Sequence, residues 1–452
     1  MNLFEINTER KYQKTIRILA YPNITFQKDL EKDSYVQVIK KQIKLLNEIR
    51  DDLWFYLILP KPESTLVFPN VTQWYLKMPT YPPTMRAHFD VFQMQKFLNE
   101  NCDFDLVMSH LPEHTHQLKN VMYNVTHHIP PVMGYCHWFD FHEVVGWPQG
   151  AFNQNITGLL EYDRCYINTQ HQKDMVLRQA KEIFNKDVIR NLKRILVVQH
   201  LGVDEENVTG TWDEHEKIIV FNHRPDTYKH FDDFIEVTDA LWEQRKDFKV
   251  WIPLLSKSNR EYVTVEKGTK EWYYKKLQSC CVGYSPEQDY GGWSVATTDG
   301  MMNGVPYIMF DDTYYHELWD GADFFKTTEQ AVSLLNKYLN SYPHGGEIHR
   351  STMSVNGLQH IHEYLIYKDE VQAMSNYIDM LLRDQRMTGD SEALNKMVEW
   401  IKKEGQISKK DLIRSVGWGR GIKWTPYRRA LLNHPNIFDM NSDTSTYCWR
   451  NI

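Results

Sequence analysis

Two basic residues follow the apolar run Ile218–Asn222 at positions where they could bind a diphosphate. Arg224 lies two residues after this run and Lys229 five residues later. A planar guanidinium and a compact ammonium at the end of a strand match the two charges of a pyrophosphate. Such a pair stabilises a diphosphate as it leaves a sugar, because the leaving group gains negative charge. The alternative is a solvated pair of cations in a loop.

The stretch Tyr290–Asp312 reads as a glycine-rich loop, a helix, a turn and a buried strand. A helix that begins directly after glycines offers free backbone N–H groups and a positive dipole end to an anion. Asp299 lies about two turns into this helix, too deep for a cap, where a carboxylate suits the hydroxyls of a sugar or ribose. The candidate nucleotide-sugar-binding residues are Arg224, Lys229, Tyr284, Gly291, Gly292, Trp293, Ser294 and Asp299.

Apolar runs and amphipathic stretches alternate along the first 200 residues, which predicts a doubly wound parallel sheet. The predicted strands are Ile16–Tyr21, Leu53–Leu59, Phe104–Met108, Val132–Cys136 and Arg164–Asn168, and the predicted helices are Tyr35–Ile49, Phe89–Asn99 and Gln170–Phe184. Because ligands gather at the carboxyl ends of parallel strands, the residues that follow these strands are expected to line one crevice.

A second alternating series starts at Ile218 and predicts a second α/β domain. Its strands are predicted at Ile218–Asn222, Phe248–Pro253, Cys281–Tyr284 and Val305–Phe310, and its helices at Phe231–Gln244, Lys270–Gln278 and Glu329–Leu339. The predicted architecture is two Rossmann-like domains that face each other across a crevice, with a small module after them. The predicted boundaries are 1–195, 196–389 and 390–452.

Bulk composition limits the class of protein. At 452 residues the chain is long enough for two or three domains. It has no apolar run of membrane-spanning length and a charged start, which predicts no membrane partner. The six cysteines are scattered without a CxxC pair, which favours neither a zinc site nor a disulfide framework and indicates a reducing cytoplasm.

The charge changes sign after Gly389. From Leu394 to Ile452 there are eleven basic and five acidic residues, a net charge of +6, whereas the whole chain carries −7. The predicted order of helix, helix, basic helix and hairpin is that of a winged helix-turn-helix module. Pro426–Asn433 would be its recognition helix and Asn441–Thr446 its wing. The alternative is a basic helical cap packed on the second half.

A DNA-binding role for this module depends mainly on its basic side chains. The candidates for DNA contact are Lys409, Lys410, Arg414, Arg420, Lys423, Tyr427, Arg428 and Arg429. Contacts of this kind bind backbone phosphates, so the affinity is expected to fall steeply with salt.

Three motifs in their expected order resemble those of GT-B glycosyltransferases. His200–Asp204 (HLGVD) resembles the hinge motif of that family, Arg224 and Lys229 resemble its diphosphate-binding pair, and Asp299–Ile308 resembles its acid-x-x-x-x-Gly-x-Pro signature. The resemblance covers roughly Ile16–Leu382. It implies a UDP-sugar donor, no metal or other cofactor, and a ribose contact by Asp299.

The resemblance has one departure. Retaining members usually carry a second acid eight residues before the first, and Gly291 stands at that position here. Backbone N–H groups of Gly291, Gly292 and Trp293 are candidates to replace it. The sequence therefore leaves open whether transfer retains or inverts the configuration of the sugar.

The resemblance also places acceptor contacts on the first half. His137 and Asp140 follow the strand Val132–Cys136, where such enzymes hold the donor sugar and the acceptor, and each is a candidate general base for a hydroxyl. His110 and Glu113 are rivals at the preceding strand end and, with Trp138, form the predicted acceptor pocket. A role in packing or hydrogen bonding is the alternative for each.

The histidines near the third predicted strand could suggest a metal. His110, His114 and His116 lack the spacing of a metal-binding helix and share their segment with Pro112. We interpret them as residues of a solvated loop.

A nucleotide-sugar site joined to a DNA-binding module predicts an enzyme that glycosylates DNA. The arrangement resembles the enzymes with which T-even-type phages glucosylate or arabinosylate hydroxymethylcytosine, whose partner is duplex DNA with an extruded base. A glycan or lipid acceptor, with the basic tail on a membrane, is the first alternative. A non-catalytic DNA-binding protein is the second. The sugar and the oligomeric state stay open.

Overall fold

The computed structural model of the protein describes most of the chain. The described ranges are 15–22, 34–59, 66–76, 90–101, 104–126, 129–137, 139, 149–208, 216–289, 291–340, 347–387, 391–408, 411–412, 437–441 and 446–449. They fall into two compact units. One holds two parallel sheets and ends at Gln372, and the other consists of Thr126–Ile129 and the chain from Ala373 onward.

Seven parallel strands form the sheet of the first half. They are β1 (Ile16–Tyr21), β2 (Leu53–Leu59), β3 (Val71–Tyr75), β4 (Leu106–Ser109), β5 (Val132–Cys136), β6 (Arg164–Ile167) and β7 (Leu196–Val198). Their order is β3-β2-β1-β4-β5-β6-β7. The order reverses between β1 and β4, so the loops that follow these two strands diverge and open a crevice. The predicted parallel sheet is confirmed; β3 escaped prediction because its sequence, VTQWY, mixes polar and apolar residues.

Among the described residues, six helices cover this sheet. They are α1 (Ser34–Ile49), α2 (Val91–Glu100), α3 (Pro112–Thr126), α4 (Gln149–Leu159), α5 (Gln170–Ile183) and α6 (Lys186–Ile195). Side chains N-terminal to three of them explain where they begin, since Asp90, Thr169 and Asn185 each accept a hydrogen bond from a first-turn backbone N–H.

The helix α3 corrects the interpretation of the histidine segment as a solvated loop. Pro112 fits the first helical position, where its missing N–H costs nothing, and apolar side chains further along face the core. His114 is fully buried and its Nδ1 lies 3.1 Å from the hydroxyl of Tyr21. The sequence interpretation was wrong because three histidines and a proline concealed the helical spacing of Leu118, Val121 and Met122.

Six parallel strands form the sheet of the second half. They are β8 (Ile218–Val220), β9 (Lys249–Trp251), β10 (Val263–Thr264), β11 (Val282–Ser285), β12 (Tyr307–Phe310) and β13 (Asp323–Phe325), in the order β10-β9-β8-β11-β12-β13. The order reverses between β8 and β11. The residues after β8 and β11 are therefore the ones positioned to meet a ligand.

The helices of the second half complete the doubly wound arrangement. They are α7 (Phe231–Gln244), α8 (Lys270–Gln278), α9 (Val295–Met302), α10 (Thr313–Trp319), α11 (Thr328–Asn340), α12 (Glu347–Tyr364) and α13 (Tyr367–Met387). A core of buried side chains that includes Trp251, Tyr307 and Phe234 lies between helices and sheet. Each such large side chain contributes roughly 1.5–3 kcal/mol by its removal from water.

The predicted hinge packs against the backbone that joins α12 to α13. The backbone of Val203 accepts a hydrogen bond from Tyr367 N (3.1 Å) and donates one to Leu365 O (2.8 Å). A Cβ on Gly202 would lie 2.6 Å from both Leu365 O and Tyr367 N. Only glycine fits this close approach of two backbones, which explains the glycine of the hinge motif.

The C-terminal unit contains helix α14 (Ser391–Glu404) and three short strands, β14 (Gln406–Ser408), β15 (Ile437–Asn441) and β16 (Thr446–Trp449). They pair antiparallel in the order β14-β16-β15, so the predicted hairpin is present. The Ser408 hydroxyl accepts a hydrogen bond from Asp411 N at 3.2 Å, the contact expected of an N-cap. The predicted recognition helix Pro426–Asn433 and most of the predicted wing lie outside the described residues.

Candidate functional site

The two cations predicted to bind a diphosphate follow β8. Arg224 is exposed; its Nε lies 3.7 Å from the carboxylate of Asp226, and its guanidinium lies over the ring of Tyr228. Lys229 ends a 3₁₀ turn and its ammonium donates to Oε1 of Gln288. Burial and the neighbouring Arg224 lower the pKa of Lys229 to about 7. Two cations therefore lie close to one carboxylate, which favours a ligand with more than one negative charge.

The loops after β8 and β11 are connected to each other. Asp289 N donates to Tyr228 O at 3.2 Å, and Gly291 N donates to Gln288 O at 3.1 Å. The amide of Gln288 also donates to the hydroxyl of Tyr315 at 2.7 Å. Gln288 thus connects Lys229 to the glycine loop, and the structure brings these sequence-predicted residues together.

Helix α9 begins where the sequence predicts an anion site. The hydroxyl of Ser294 accepts a hydrogen bond from Thr297 N at 3.3 Å and lies 2.7 Å from the Thr297 hydroxyl. Ser294 is buried and acts as the N-cap. Asn222 attaches this helix to the end of β8, because its amide donates to Ala296 O at 2.6 Å. The helix start is therefore held beside the residues that carry Arg224.

Asp299 lies in the fifth position of α9 and is half-buried. Burial raises the pKa of its carboxyl to about 7, with Lys41 and Lys270 acting in the opposite direction. Burial and then the nearby carboxyl of Asp299 raise the pKa of Tyr274 on α8. A carboxyl that exchanges its proton near neutral pH and lies beside the hinge is suited to bind hydroxyl groups.

Two further predicted donor residues have different surroundings. Tyr284 is 3% exposed and its ring lies within the aromatic core, 4.8 Å from Phe234 and 4.9 Å from Phe325. The structure does not bring Tyr284 to the ligand side of the sheet edge. Trp293 is buried and stacks on His200 of the hinge, with ring centroids 4.6 Å apart. Trp293 therefore connects the glycine loop with the hinge.

A carboxylate on α10 joins the second half to the first. Glu317 accepts hydrogen bonds from Gln170 N at 2.6 and 2.8 Å and from His171 N at 3.2 Å, and lies 2.8 Å from His200 Nε2. These N–H groups are the free donors at the start of α5, where a negative charge is favourable. Burial raises the pKa of Glu317, but the bonds from His200 and the backbone outweigh it, and the pKa is lowered.

The predicted acceptor residues of the first half meet at the ends of β4 and β5. His110 Nδ1 lies 3.3 Å from His137 Nε2, and His110 Nε2 is buried with no hydrogen-bond partner. Burial lowers the pKa of His110 to about 3 and that of His137 well below its ordinary value. Glu113 lies on α3, where its Oε2 accepts a hydrogen bond from Asn155 at 3.5 Å. The structure thus pairs two neutral imidazoles beside this carboxylate-bearing helix.

Several predicted residues lie outside the described part of the chain. They are Trp138, Asp140 and the eight candidates for DNA contact, Lys409, Lys410, Arg414, Arg420, Lys423, Tyr427, Arg428 and Arg429. Their roles stay predictions.

Sequence reasoning missed four polar residues around the predicted donor site. His223 follows β8, is 4% exposed, and its buried Nε2 has no hydrogen-bond partner. Gln288, Glu317 and His171 were missed because their neighbours are far away in sequence; Glu317 binds residues 147 and 117 positions away. The one local signal was His223 itself, which stands between Asn222 and Arg224.

The described residues show neither a cluster of metal ligands nor a membrane-spanning helix. In the described ranges, His, Cys, Asp and Glu side chains do not cluster in groups of three or more that could hold a metal ion. None of the helices described is long and apolar enough to cross a bilayer.

Comparison with solved structures identifies the fold. HepE from Anabaena, solved with UDP-glucose, matches with a TM-score of 0.57 and 9% identity over 81% of this chain and 100% of its own. Trehalose 6-phosphate synthase from Burkholderia multivorans matches with a TM-score of 0.55 and 10% identity, over 83% of this chain and 98% of its own. The chain has the GT-B fold. This confirms the fold class predicted from the hinge, the Arg–Lys pair and the acid signature.

A third match is partial. TarM from S. aureus matches with a TM-score of 0.50 and 14% identity. The match covers 64% of this chain and 58% of the length of TarM. No protein-family model matches the chain, and no curated protein matches it in sequence.

Proposed function

We propose that this GT-B chain is a glycosyltransferase that takes its sugar from a UDP-sugar without a metal ion. The observation that carries the proposal is that Gln288 contacts both Lys229 and Gly291 of the glycine loop, with Arg224 in the same loop as Lys229. Two cations and a helix N-terminus at one sheet edge provide what a nucleoside diphosphate requires. The neighbour HepE, solved with UDP-glucose, supports this donor class.

In the proposed reaction the bond between the sugar carbon and the diphosphate oxygen breaks, and its electron pair stays on the diphosphate. Arg224 and Lys229 stabilise the added charge, which is the role a metal ion has in other transferases. Asp299 holds ribose hydroxyls beside the hinge. The acceptor hydroxyl forms the new bond to the sugar carbon and gives its proton to a base.

The proposed base belongs to the first half. His137 and His110 lie 3.3 Å apart, and burial keeps both neutral at physiological pH. A neutral imidazole can take the proton of an alcohol, and a second imidazole in contact with it helps to orient it. Asp140 stays the rival base predicted from the sequence.

The proposed acceptor is the hydroxymethyl group of hydroxymethylcytosine in duplex DNA. It rests on the basic C-terminal segment, with its net charge of +6, and on the helix and three-stranded antiparallel sheet of that unit. A base that must reach an enzyme site is extruded from the stack, and phosphate contacts provide the affinity. We place this reaction in the cytoplasm of a phage-infected cell.

A second basic surface supports a polyanionic partner. A cavity of about 540 Å³ on the first half is lined by Lys181, Phe184, Lys186, Ile189, Arg190 and Lys193, of which four are cationic and none is acidic. Such a surface is suited to a phosphate backbone, which binds through several cations at once.

The function is tested with purified full-length protein, radiolabelled UDP-glucose or UDP-arabinose, and duplex DNA with or without hydroxymethylcytosine. We expect label in the modified duplex only, in the presence of a chelator, and a rate that falls steeply between about 50 and 200 mM salt. Transfer to a glycan or lipid acceptor but to neither duplex would replace the DNA acceptor and keep the donor. Absence of UDP-sugar binding would overturn the transferase itself.

A further inference from the structure

An imidazole of the first half lies on the glycine loop of the second half. His171 is the second residue of α5, and the preceding Thr169 donates from its hydroxyl to Gly291 O at 3.4 Å. A Cβ placed on Gly291 would come within 3.0 Å of Cδ2 and Nε2 of His171, and Gly291 has a φ of +50°. The loop therefore needs glycine here both for its backbone and for the ring that covers it.

The His171 ring is held in one orientation by α10. Its Nδ1 is hydrogen-bonded to the hydroxyl of Thr313, and that hydroxyl donates to Asp312 Oδ1 at 3.1 Å. Since the hydroxyl has a single proton and gives it to Asp312, Nδ1 carries the proton of the imidazole. The other nitrogen, Nε2, is then left with its lone pair and faces Gly291. Tyr314 supports the ring edge-to-face, with ring centroids 5.2 Å apart.

The ring is neutral yet reachable. Burial lowers the pKa of His171, and the carboxylates of Asp312 and Glu317 offset only part of this effect. The side chain keeps 21% of its surface exposed, so a ligand can contact it. A neutral imidazole with a free lone pair accepts a hydrogen bond from a hydroxyl.

The position of this lone pair relates it to the donor. Lys229 contacts Gln288, Gln288 O accepts from Gly291 N, and Gly291 lies under the ring of His171. The transferred sugar is bonded to the diphosphate, so it must lie next to the residues that hold that diphosphate. The side chains of His171 and Thr169, both from the first half, reach the same loop.

We propose that Nε2 of His171 accepts a hydrogen bond from a hydroxyl of the transferred sugar, and that the Asp312–Thr313 pair positions it for this contact. The proposal rests on the proposed function, because it takes the diphosphate site at Arg224 and Lys229 as given. It makes His171 a residue that binds the donor sugar from the opposite half.

The test measures binding, so it depends on neither the acceptor nor turnover. Calorimetry compares UDP with whichever of UDP-glucose and UDP-arabinose the wild-type protein binds more tightly. For His171→Ala we expect about tenfold weaker binding of the UDP-sugar, the loss of one ligand hydrogen bond, and unchanged binding of UDP. His171→Gln, which offers a carbonyl oxygen, is expected to recover part of the affinity. His116→Ala, at an exposed histidine of α3, is the matched control and is expected to bind both ligands as the wild type does.

A second variant leaves the ring in place. Thr313→Val removes the hydroxyl that orients Nδ1 of His171. We expect the affinity for the UDP-sugar to fall by about threefold and the affinity for UDP to stay unchanged. Deoxy analogues of the sugar then identify the contacted hydroxyl, since the analogue that lacks it should bind the wild type and His171→Ala equally.

Equal losses for UDP and the UDP-sugar in His171→Ala would assign the ring a structural role and overturn the proposal. Unchanged binding of both would overturn it as well. The melting temperature of each variant separates these results from unfolding, and Thr313→Val repeats the test with the ring intact. If the wild-type protein binds no UDP-sugar, the proposed function itself has failed, and this result is recognised before any variant is made.

Discussion

The two halves of this protein have similar sheets but build their sites differently. In the second half, the candidate ligand-binding residues follow β8 and β11, and two of them, Arg224 and Lys229, are five positions apart in one loop. In the first half, the candidate site consists of two imidazoles that follow β4 and β5, the buried His110 and the half-buried His137, which lie 3.3 Å apart. One site is a cationic loop that a ligand neutralises, and the other is a neutral pair that a ligand must reach.

This contrast separates two tasks. In the proposed reaction the second half holds two negative charges and releases them, and its cations lie at the sheet edge, where they can meet the diphosphate. In the same proposal the first half accepts one proton from an alcohol, and its two imidazoles are neutral, so each keeps a nitrogen lone pair. The Arg224 and Lys229 variants below should weaken donor binding, and the His137 variant should leave donor binding intact.

The largest effect is expected for the double variant Arg224→Ala, Lys229→Ala. Without its two cations the leaving diphosphate loses its charge stabilisation, and we expect the transfer rate to fall by about 10³-fold, with weaker binding of UDP. Steady-state transfer and calorimetry measure the two effects. Lys246→Ala, at an exposed lysine after α7, is the control. A wild-type transfer rate in the double variant would show that these two cations do not stabilise the leaving diphosphate.

His137→Ala tests the acceptor half. We expect transfer to DNA to fall by about 10²-fold because the alcohol loses its base, while binding of the UDP-sugar stays unchanged. His116→Ala on α3 is the matched control. A loss of donor binding equal to the loss of rate would show that the two halves do not divide the work in this way.

Gly291→Ala tests the point where the halves meet. The added methyl would collide with the ring of His171, and the loop would hold alanine at a φ of +50°. We therefore expect the free energy of unfolding to fall by roughly 2 kcal/mol, seen as a lower melting temperature. Adding His171→Ala should restore part of it. Gly292→Ala is the control, since a Cβ there meets nothing within 4 Å. Equal melting temperatures for the two glycine variants would contradict the close contact.

The pH dependence of donor binding sharpens the description of Lys229. Its pKa is lowered to about 7 in the free protein, and the diphosphate binds the protonated form. The affinity for a UDP-sugar should therefore be highest below about pH 7 and fall by about tenfold as the pH rises to about 8.5. Calorimetry at several pH values measures this change. Lys229→Arg, which stays charged, should flatten the profile; an identical profile in the variant would assign the titration to another group.

The smallest effect concerns the connection between the halves. Glu317→Gln keeps the shape of the side chain but removes the charged carboxylate that accepts hydrogen bonds from Gln170 N and His200. We therefore expect the free energy of unfolding to fall by about 1 kcal/mol at pH 7. The pKa of Glu317 is lowered in the folded state, so its contribution is present above its ordinary value of 4.5 and disappears as the pH falls through the lowered pKa.

Melting temperatures at pH 7 and pH 4 check this prediction, with Glu243→Gln at an exposed site of α7 as the control. The gap between the wild type and Glu317→Gln should be wider at pH 7. A gap that widens towards pH 4 would contradict the sign.

Much of the fold could be predicted because its signals are local. Apolar runs mark the strands, and the alternation of strand and helix leaves few topologies other than two doubly wound sheets. The Arg224–Lys229 spacing and the acid signature at Asp299 are equally local. The helix α3 was not predicted because polar residues obscured the helical spacing of its apolar side chains. Tyr284 was included in the predicted donor site because nothing local distinguishes a core tyrosine from one that binds a ligand.

By itself the sequence determined the two α/β halves, the spacing of Arg224 and Lys229, and the basic charge of the C-terminal segment. Only the tertiary structure decided which side chains meet across the halves. His171 reaches Thr313 over 142 positions, Gln170 reaches Glu317 over 147, and Thr169 reaches Gly291 over 122. The physical reason is that these contacts depend on where two sheets, formed by different parts of the sequence, place their edges, which no local periodicity or spacing encodes.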